Sequence, residues 1–228
     1  MTTRLGGKSR GAFQSLNVGL RVGDEEEAVL ENVRRVRAEA GMGADEPRRI
    51  RQVHGAAVVS PAEAGSAADG FLLRAGDPWA AVSVADCAPV ALVSEDGTWG
   101  ALLHSGWRGT ALGISVRALL ALEQHGVSPF GVRVVVGPCI HACCYPVGAE
   151  VASRFPTFLL KPHRSGRFAL DLPAAITASL EGAGVPAGRL AAAPECTACR
   201  QDLFYSHRRD SGVTGRHWAI LRLGGAAR

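Results

Sequence analysis

Three side chains with the chemistry of metal ligands or nucleophiles lie at or near the ends of apolar segments. His54 falls in Gln52-Val53-His54-Gly55, Cys87 in Ala85-Asp86-Cys87-Ala88-Pro89, and His104 in Leu103-His104-Ser105-Gly106-Trp107. Two neutral imidazoles and one thiolate make a donor set that zinc favours, and three protein ligands leave a fourth position open for water or substrate. The spacing is wide, 33 residues from His54 to Cys87 and 17 from Cys87 to His104, with none of the short intervals of a zinc finger. The same atoms suit a second chemistry, with Cys87 as a thiolate nucleophile and His104 as its base. Metal binding and nucleophilic attack both need the deprotonated thiol, so residue types alone leave the two readings open. The bland reading is a buried cysteine and two hydrogen-bonded histidines.

Other groups carry weaker signals. Cys196 and Cys199 form a CxxC, and Cys139, Cys143 and Cys144 form a second group more than fifty residues away. Together they read either as a structural zinc site or as core and loop thiols. His207, Arg208, Arg209 and Arg216 concentrate cations near the C-terminus, a composition that suits phosphate recognition or a solvated loop pairing with Asp210. Gly6, Gly7, Gly11, Gly106 and Gly109 could approach a ligand closely. They match neither a Walker nor a dinucleotide fingerprint, and a nucleotide cofactor is therefore set aside.

These residues need elements to hold them. Acids at Glu25, Glu26 and Glu27, later arginines and the terminating Gly41 predict a helix over 24–40. Residues 48–60, dense in β-branched side chains, read as extended, with His54 inside or at the end of a strand. A buried strand is expected over 79–85, broken at Pro89, and another over 99–103. An amphipathic helix is expected from 111 to about 125, which places His104 and Arg108 on a strand-to-helix connection. The remaining expectations are a strand over 132–136, a helix over 174–183 and a last strand over 217–223.

Composition fits one globular domain over 1–228: hydrophobic residues make up 47% and charged residues 20%. The net charge of +4 does not by itself indicate nucleic acid, and no apolar run reaches the ~20 residues of a membrane span. The N-terminus lacks the apolar stretch of a secretory signal, so a cytoplasmic location and reduced cysteines are expected.

Read in order, TTRLGGKSRGAFQSLNVGLRVGDE, RQVHG, VADCAPVAL, GALLHSGWRGTALGI, GPCIHACCYPVGAEV, LDLPAA, CTA and FYSHRRDSGVTGR resemble the multicopper polyphenol oxidase, or laccase-domain, family, also called a purine nucleoside phosphorylase family. The resemblance covers nearly the whole chain. It implies an α/β (α+β) fold, a layered sandwich with mixed β-sheets between outer helices, similar to toxin deamidases that use a Cys/His pair. It implies that His54, Cys87 and His104 are a catalytic triplet holding zinc, and that Asn17, Arg4 and Arg108 line a substrate pocket. Departures from the family pattern are a start almost at TTR without a preceding strand, His141 and His207 in place of glycine and tyrosine, and Ile176 in place of asparagine. These bear on substrate preference.

The activity implied is phosphorolysis of adenosine, guanosine, inosine and methylthioadenosine, with adenosine deamination as a further activity. The expected partners are a small-molecule nucleoside and phosphate, with no nucleic acid, no membrane and no indicated protein partner. An alternative is a Cys/His amide hydrolase in peptidoglycan precursor editing, and a non-enzymatic alternative is a metal or nucleotide sensor. The copper chemistry in the family's name requires many histidines, including HxH pairs. This chain has 7 histidines and no such pair.

Overall fold

A computed structural model describes residues 1–163 and 165–224; Arg164 and residues 225–228 of the expected domain lie outside the described residues. In chain order the elements are α1 (Glu26–Glu39), β1 (Val58–Val59), β2 (Gly70–Arg74), β3 (Ala80–Val84), β4 (Ala88–Ser94) and β5 (Trp99–Ser105). They continue with α2 (Trp107–Ala111), α3 (Ile114–Glu123), β6 (Val132–Val136), β7 (Pro146–Val147) and α4 (Ala149–Ala152). The last are β8 (Leu160–Pro162), β9 (Phe168–Leu170), α5 (Leu172–Gly182), β10 (Leu190–Ala192) and β11 (His217–Leu221).

The strands form a six-stranded sheet in the order β1-β2-β5-β4-β6-β10, a two-stranded ribbon of β11 and β3, and a three-stranded sheet β7-β9-β8. The large sheet is mixed: β1 with β2 and β6 with β10 run parallel, and its other pairs are antiparallel. Side chains alternate across its strands, and both faces are covered. Val90, Leu92, Ala101 and Leu103 join Leu119, Leu122, Ile176 and Leu180 of α3 and α5 in one core. Phe71, Leu73 and Leu102 point the other way, onto Ala80, Val82 and Ala219 of the β3-β11 ribbon. The far side of that ribbon, at Ala81 and Trp218, packs on Val36 of α1. Mixed sheets between outer helices are therefore what the chain builds. No helix among the described residues is long and apolar enough to cross a membrane.

Local chemistry explains the element ends. The first turn of α1 carries Glu26 and Glu27 and its last turn carries Arg37, in accord with the helix dipole. Asp171 caps α5 by accepting from the N–H of Ala174 at 3.3 Å, with a proline in the first turn where no N–H is needed.

Three sequence expectations are corrected. Residues 48–60 are not a continuous strand: only isolated bridges at Arg48 and Arg51 and the short β1 are present. The N–H groups between them are taken by a side chain, described below. Pro89 does not interrupt a strand, because it lies within β4, just beyond the last residue paired with β6. Its carbonyl accepts from the N–H of Gly137 at 2.8 Å, so its missing N–H falls past the end of that ladder. The helix expected over 111–125 is two, α2 and α3, separated where Gly113 adopts φ +75°. The strands β2 and β4 were not anticipated.

Leu103 is fully buried at the centre of the large sheet. Leu103→Ala should lower unfolding free energy by about 2–5 kcal/mol, read as a reduced urea midpoint.

Candidate active site

Three chain segments converge at one end of the large sheet. His104 is the penultimate residue of β5, not part of the following connection. Its register partner is Pro89 of the adjacent β4, and Cys87 immediately precedes β4. His54 lies in the loop before β1, held to the ribbon by Gln52, whose amide exchanges two 2.8 Å hydrogen bonds with the backbone of Ser83. The ligand-capable atoms of His54, Cys87 and His104 lie within 4.8 Å of one another. The two imidazoles meet edge to face at 4.9 Å between ring centroids.

A carboxylate that sequence reasoning missed organises this group. Asp69 is fully buried and accepts from the N–H groups of Val53 at 3.2 Å, His54 at 2.9 Å and Gly55 at 2.6 Å. The same carboxylate meets Nδ1 of His104 at 2.9 Å, which leaves Nε2 for the Cys87 side. Burial works against ionisation of Asp69, but the His104 contact and the Gly55 and Val53 N–H groups outweigh it and hold the acid below its ordinary range. Its only sequence signal is an acid immediately before the apolar β2.

Cys87 and His104 adjust each other. Burial pushes the Cys87 thiol up, yet His104 and then His54 outweigh burial and bring it down to about 6. Burial likewise opposes the His104 imidazolium, but Cys87 and Asp69 raise it to about 9. Both shifts favour the thiolate–imidazolium form of the pair in the metal-free protein.

The backbone around the group is held in a costly conformation. His54 has φ +58° and Asp86 has φ +85°, each of order 1–3 kcal/mol for a residue with a side chain. Asp86 is fixed by the Thr197 hydroxyl at 2.6 Å, the Ser206 hydroxyl at 3.0 Å and the Arg208 N–H at 2.7 Å. Those bonds tie the Cys87 turn to the loop after β10. Gly106 and Gly109 both serve this packing, and Gly106 also lines the cleft that holds the group. A Cβ on Gly106 would sit 2.7 Å from Cys87 Sγ, and one on Gly109 would sit 2.9 Å from the Gly55 carbonyl.

The group lies in a cleft of about 1090 Å³. Arg48, Arg49, Arg51, Arg208 and Arg216 line it together with Arg21, against Glu46 and Asp86 as the acids, so the cleft is cationic. The basic run near the C-terminus thus contributes to the cleft, and the arginines near His54 went unnoticed as site residues. The three residues expected to line the pocket lie elsewhere. Arg4 stacks 4.8 Å over Tyr205 and donates to the carbonyls of Gln14 and Gln201. Asn17 is fully buried, donating to Asp24 at 2.8 Å and accepting from the N–H groups of Gly19 and Arg216. It positions the backbone of Arg216 and has no free amide for a substrate. Arg108 is exposed on α2, its guanidinium 5.3 Å from the Trp107 ring, and only the indole reaches the cleft.

The donor set fits a metal ion. It holds one thiolate and two imidazoles, one of them backed by a carboxylate as metal-bound histidines commonly are. Fold and site together define a layered α/β protein with a His–Cys–His centre, carried at strand ends, that can hold a metal. The chain belongs to the family described as multi-copper polyphenol oxidoreductase laccase, whose model matches residues 1–224. A purine nucleoside phosphorylase from Deinococcus radiodurans is 40% identical over 228 residues, covering 97% of this chain and 87% of that protein. Purine nucleoside phosphorylase YlmD from Geobacillus stearothermophilus is 36% identical over 241 residues, covering 97% and 88%. The crystal structure of YlmD from that organism matches with a TM-score of 0.91 at 33% identity, covering 98% of this chain and 90% of that one. Adenosine deaminase RL5, from an unknown prokaryotic organism, is 28% identical over 234 residues, covering 94% and 89%.

The copper oxidation in the family's description needs many histidines gathered together, and among the described residues only His54, His104 and His207 line the cleft. His125 stacks on Trp99, His217 accepts from the Tyr205 N–H, and His163 contacts Ser165.

Alkylation of the metal-free protein tests the ion pair. The rate at Cys87, followed by peptide mass mapping, should rise with pH through a midpoint near 6 and then level off. In His104→Ala, the midpoint should move up toward the ordinary thiol value of ~8.5. A wild-type midpoint already at the ordinary value would remove the thiolate–imidazolium description.

Proposed function

We propose that this chain is a zinc-dependent purine nucleoside phosphorylase acting on adenosine, guanosine, inosine and methylthioadenosine, with adenosine deamination as a second activity. The observation that carries this reading is the meeting of His54, Cys87 and His104 in a cleft rich in arginine. Relatives named for both activities, matched over nearly the whole chain, support it.

The cleft, at about 1090 Å³, has the volume for a nucleoside and a phosphate side by side. In phosphorolysis a phosphate oxygen bonds to the anomeric carbon as the C–N glycosidic bond breaks. The bonding pair leaves with the purine, which takes up the proton that the hydrogen phosphate gives up. Arg208 and Arg216 neutralise the phosphate, and their forked N–H groups orient it toward the sugar. Arg216 is pre-positioned, because its guanidinium donates to the carbonyls of Thr214 and Gly215 while its own N–H is held by Asn17. Trp107, on the wall of the cleft, offers an aromatic surface to the base. Asp69 keeps the His104 ring oriented and its Nδ1 occupied. Zinc on His54, Cys87 and His104 would supply Lewis-acid chemistry at an open coordination position.

Zinc-loaded protein given adenosine and phosphate should release adenine and ribose 1-phosphate, with inosine as the product of deamination, all resolved by liquid chromatography. Cys87→Ala should fall to background. Asp69→Asn should weaken zinc binding about 10–100-fold, measured by competition with a chromophoric chelator. Zinc-replete wild-type protein that yields neither free base nor inosine would overturn the assignment.

One observation favours a second reading, amide hydrolysis. Cys87, His104 and Asp69 stand in the order of a nucleophile, its base and the acid that orients the base. Amidase activity on a cell-wall precursor that survives chelation and is lost on alkylation of Cys87 would establish it in place of the phosphorylase.

A further inference from the structure

A second group of soft ligands lies outside the cleft. Cys143 and Cys144 sit in the loop after β6, and Cys196 and Cys199 in the loop after β10. Because β6 and β10 are parallel neighbours, both loops leave the sheet at the same end. The pairing extends one step further through a bridge between Cys139 and Cys196 and a 2.9 Å bond from the Thr197 N–H to the Cys139 carbonyl. This register brings together thiols more than fifty residues apart in sequence. Cys199 Sγ lies 3.6 Å from Cys143 Sγ and 3.4 Å from Cys144 Sγ, and all four sulfurs fall within 4.8 Å of one another.

We propose that Cys143, Cys144, Cys196 and Cys199 form a structural zinc site, a tetrathiolate centre separate from His54, Cys87 and His104. Four sulfurs at ~2.3 Å from one zinc ion stand ~3.8 Å apart along the edges of a tetrahedron. The sulfur spacings here need shifts of an ångström or less to reach that figure. Tetrahedral four-sulfur coordination selects zinc or iron among the common metals.

The surroundings suit a bound cation. The N–H of His141 points at Cys196 Sγ at 3.4 Å. Cys143, Cys196 and Cys199 line a hollow of about 430 Å³ that shares no lining residue with the cleft. Nε2 of His141, also on that hollow, is buried without a hydrogen-bond partner among the described residues.

The centre would clamp two loops that shape the active site. Tyr145 follows Cys144 directly, and Arg208 lies beyond Cys199. The Arg208 guanidinium sits 4.9 Å over the Tyr145 ring and donates to the Pro146 carbonyl at 2.7 Å. Thr197, between the two ligands of the CxxC, holds Asp86 beside Cys87.

The full chain, purified in reductant with zinc, is compared with Cys87→Ala and with the double variant Cys196→Ser/Cys199→Ser, using elemental analysis and zinc-edge absorption spectroscopy. Cys87→Ala should retain one zinc per chain, surrounded by four sulfurs at ~2.3 Å. The double variant should lose that four-sulfur signal. Should the double variant fail to fold, alkylation of the intact zinc-loaded protein gives an independent answer. Cys143, Cys144, Cys196 and Cys199 should all be protected until a strong chelator is added. Cys87→Ala without zinc, or with nitrogen among its ligands, would overturn the proposal. So would rapid alkylation of Cys143 and Cys199 in zinc-loaded protein, a disulfide from Cys199 to either neighbour under these conditions, or iron in place of zinc.

Discussion

The candidate active site depends on a single buried carboxylate. Asp69 gathers three consecutive N–H groups, from Val53, His54 and Gly55, and the Nδ1 of His104 into one ionised acceptor with no exposure to solvent. Without it the left-handed conformation of His54 would lose the bonds that offset its cost, and three half-buried N–H groups would lose their partner. The imidazolium of His104 would lose one of its two counter-charges as well, and with it part of the support for the Cys87 thiolate. Backbone geometry, imidazole orientation and thiol ionisation are therefore one coupled arrangement.

Asp86 plays the matching part on the other wall. It takes the strained turn before β4 and binds it, through Thr197, Ser206 and the Arg208 N–H, to a loop more than a hundred residues further along. Two buried acids, one on each side of Cys87, thus join four stretches of chain around a small group of soft donors. Both are satisfied by several hydrogen bonds, the condition under which a buried charge is tolerated. The large sheet supplies the rigidity. Covered on both faces, it delivers His104 on β5 beside Cys87 at the start of the adjacent β4, in a register that the core sets.

The surrounding cleft extends the same logic over a longer range. Its arginines come from the N-terminal stretch near Arg21, from the irregular segment that carries His54, and from the loop before β11. None is a neighbour of Cys87 in sequence. They suit an anionic or polar substrate, which fits the activities named for the relatives better than the oxidase chemistry in the family's description does.

The sequence by itself determined the helices with clear charge and capping signals, such as α1 and α5, and strands such as β6 whose branched residues leave little alternative. It also singled out His54, Cys87 and His104, through residue type and through ordered motifs spanning the chain, and the fold brings these three together. It could not show that Asn17 and Arg4 are braces, because whether a polar side chain faces a ligand or the backbone depends on segments nearly two hundred residues away. It could not find Asp69, since an acid before a strand has no local signature of the three N–H groups it will accept. The strand status of Pro89 was likewise hidden, because only the register of β4 against β6 tells whether its missing N–H matters. Local structure follows from short-range propensity and period, and was legible. Which donors, acceptors and thiols meet is decided by long-range register and packing, and only the folded chain contains that information.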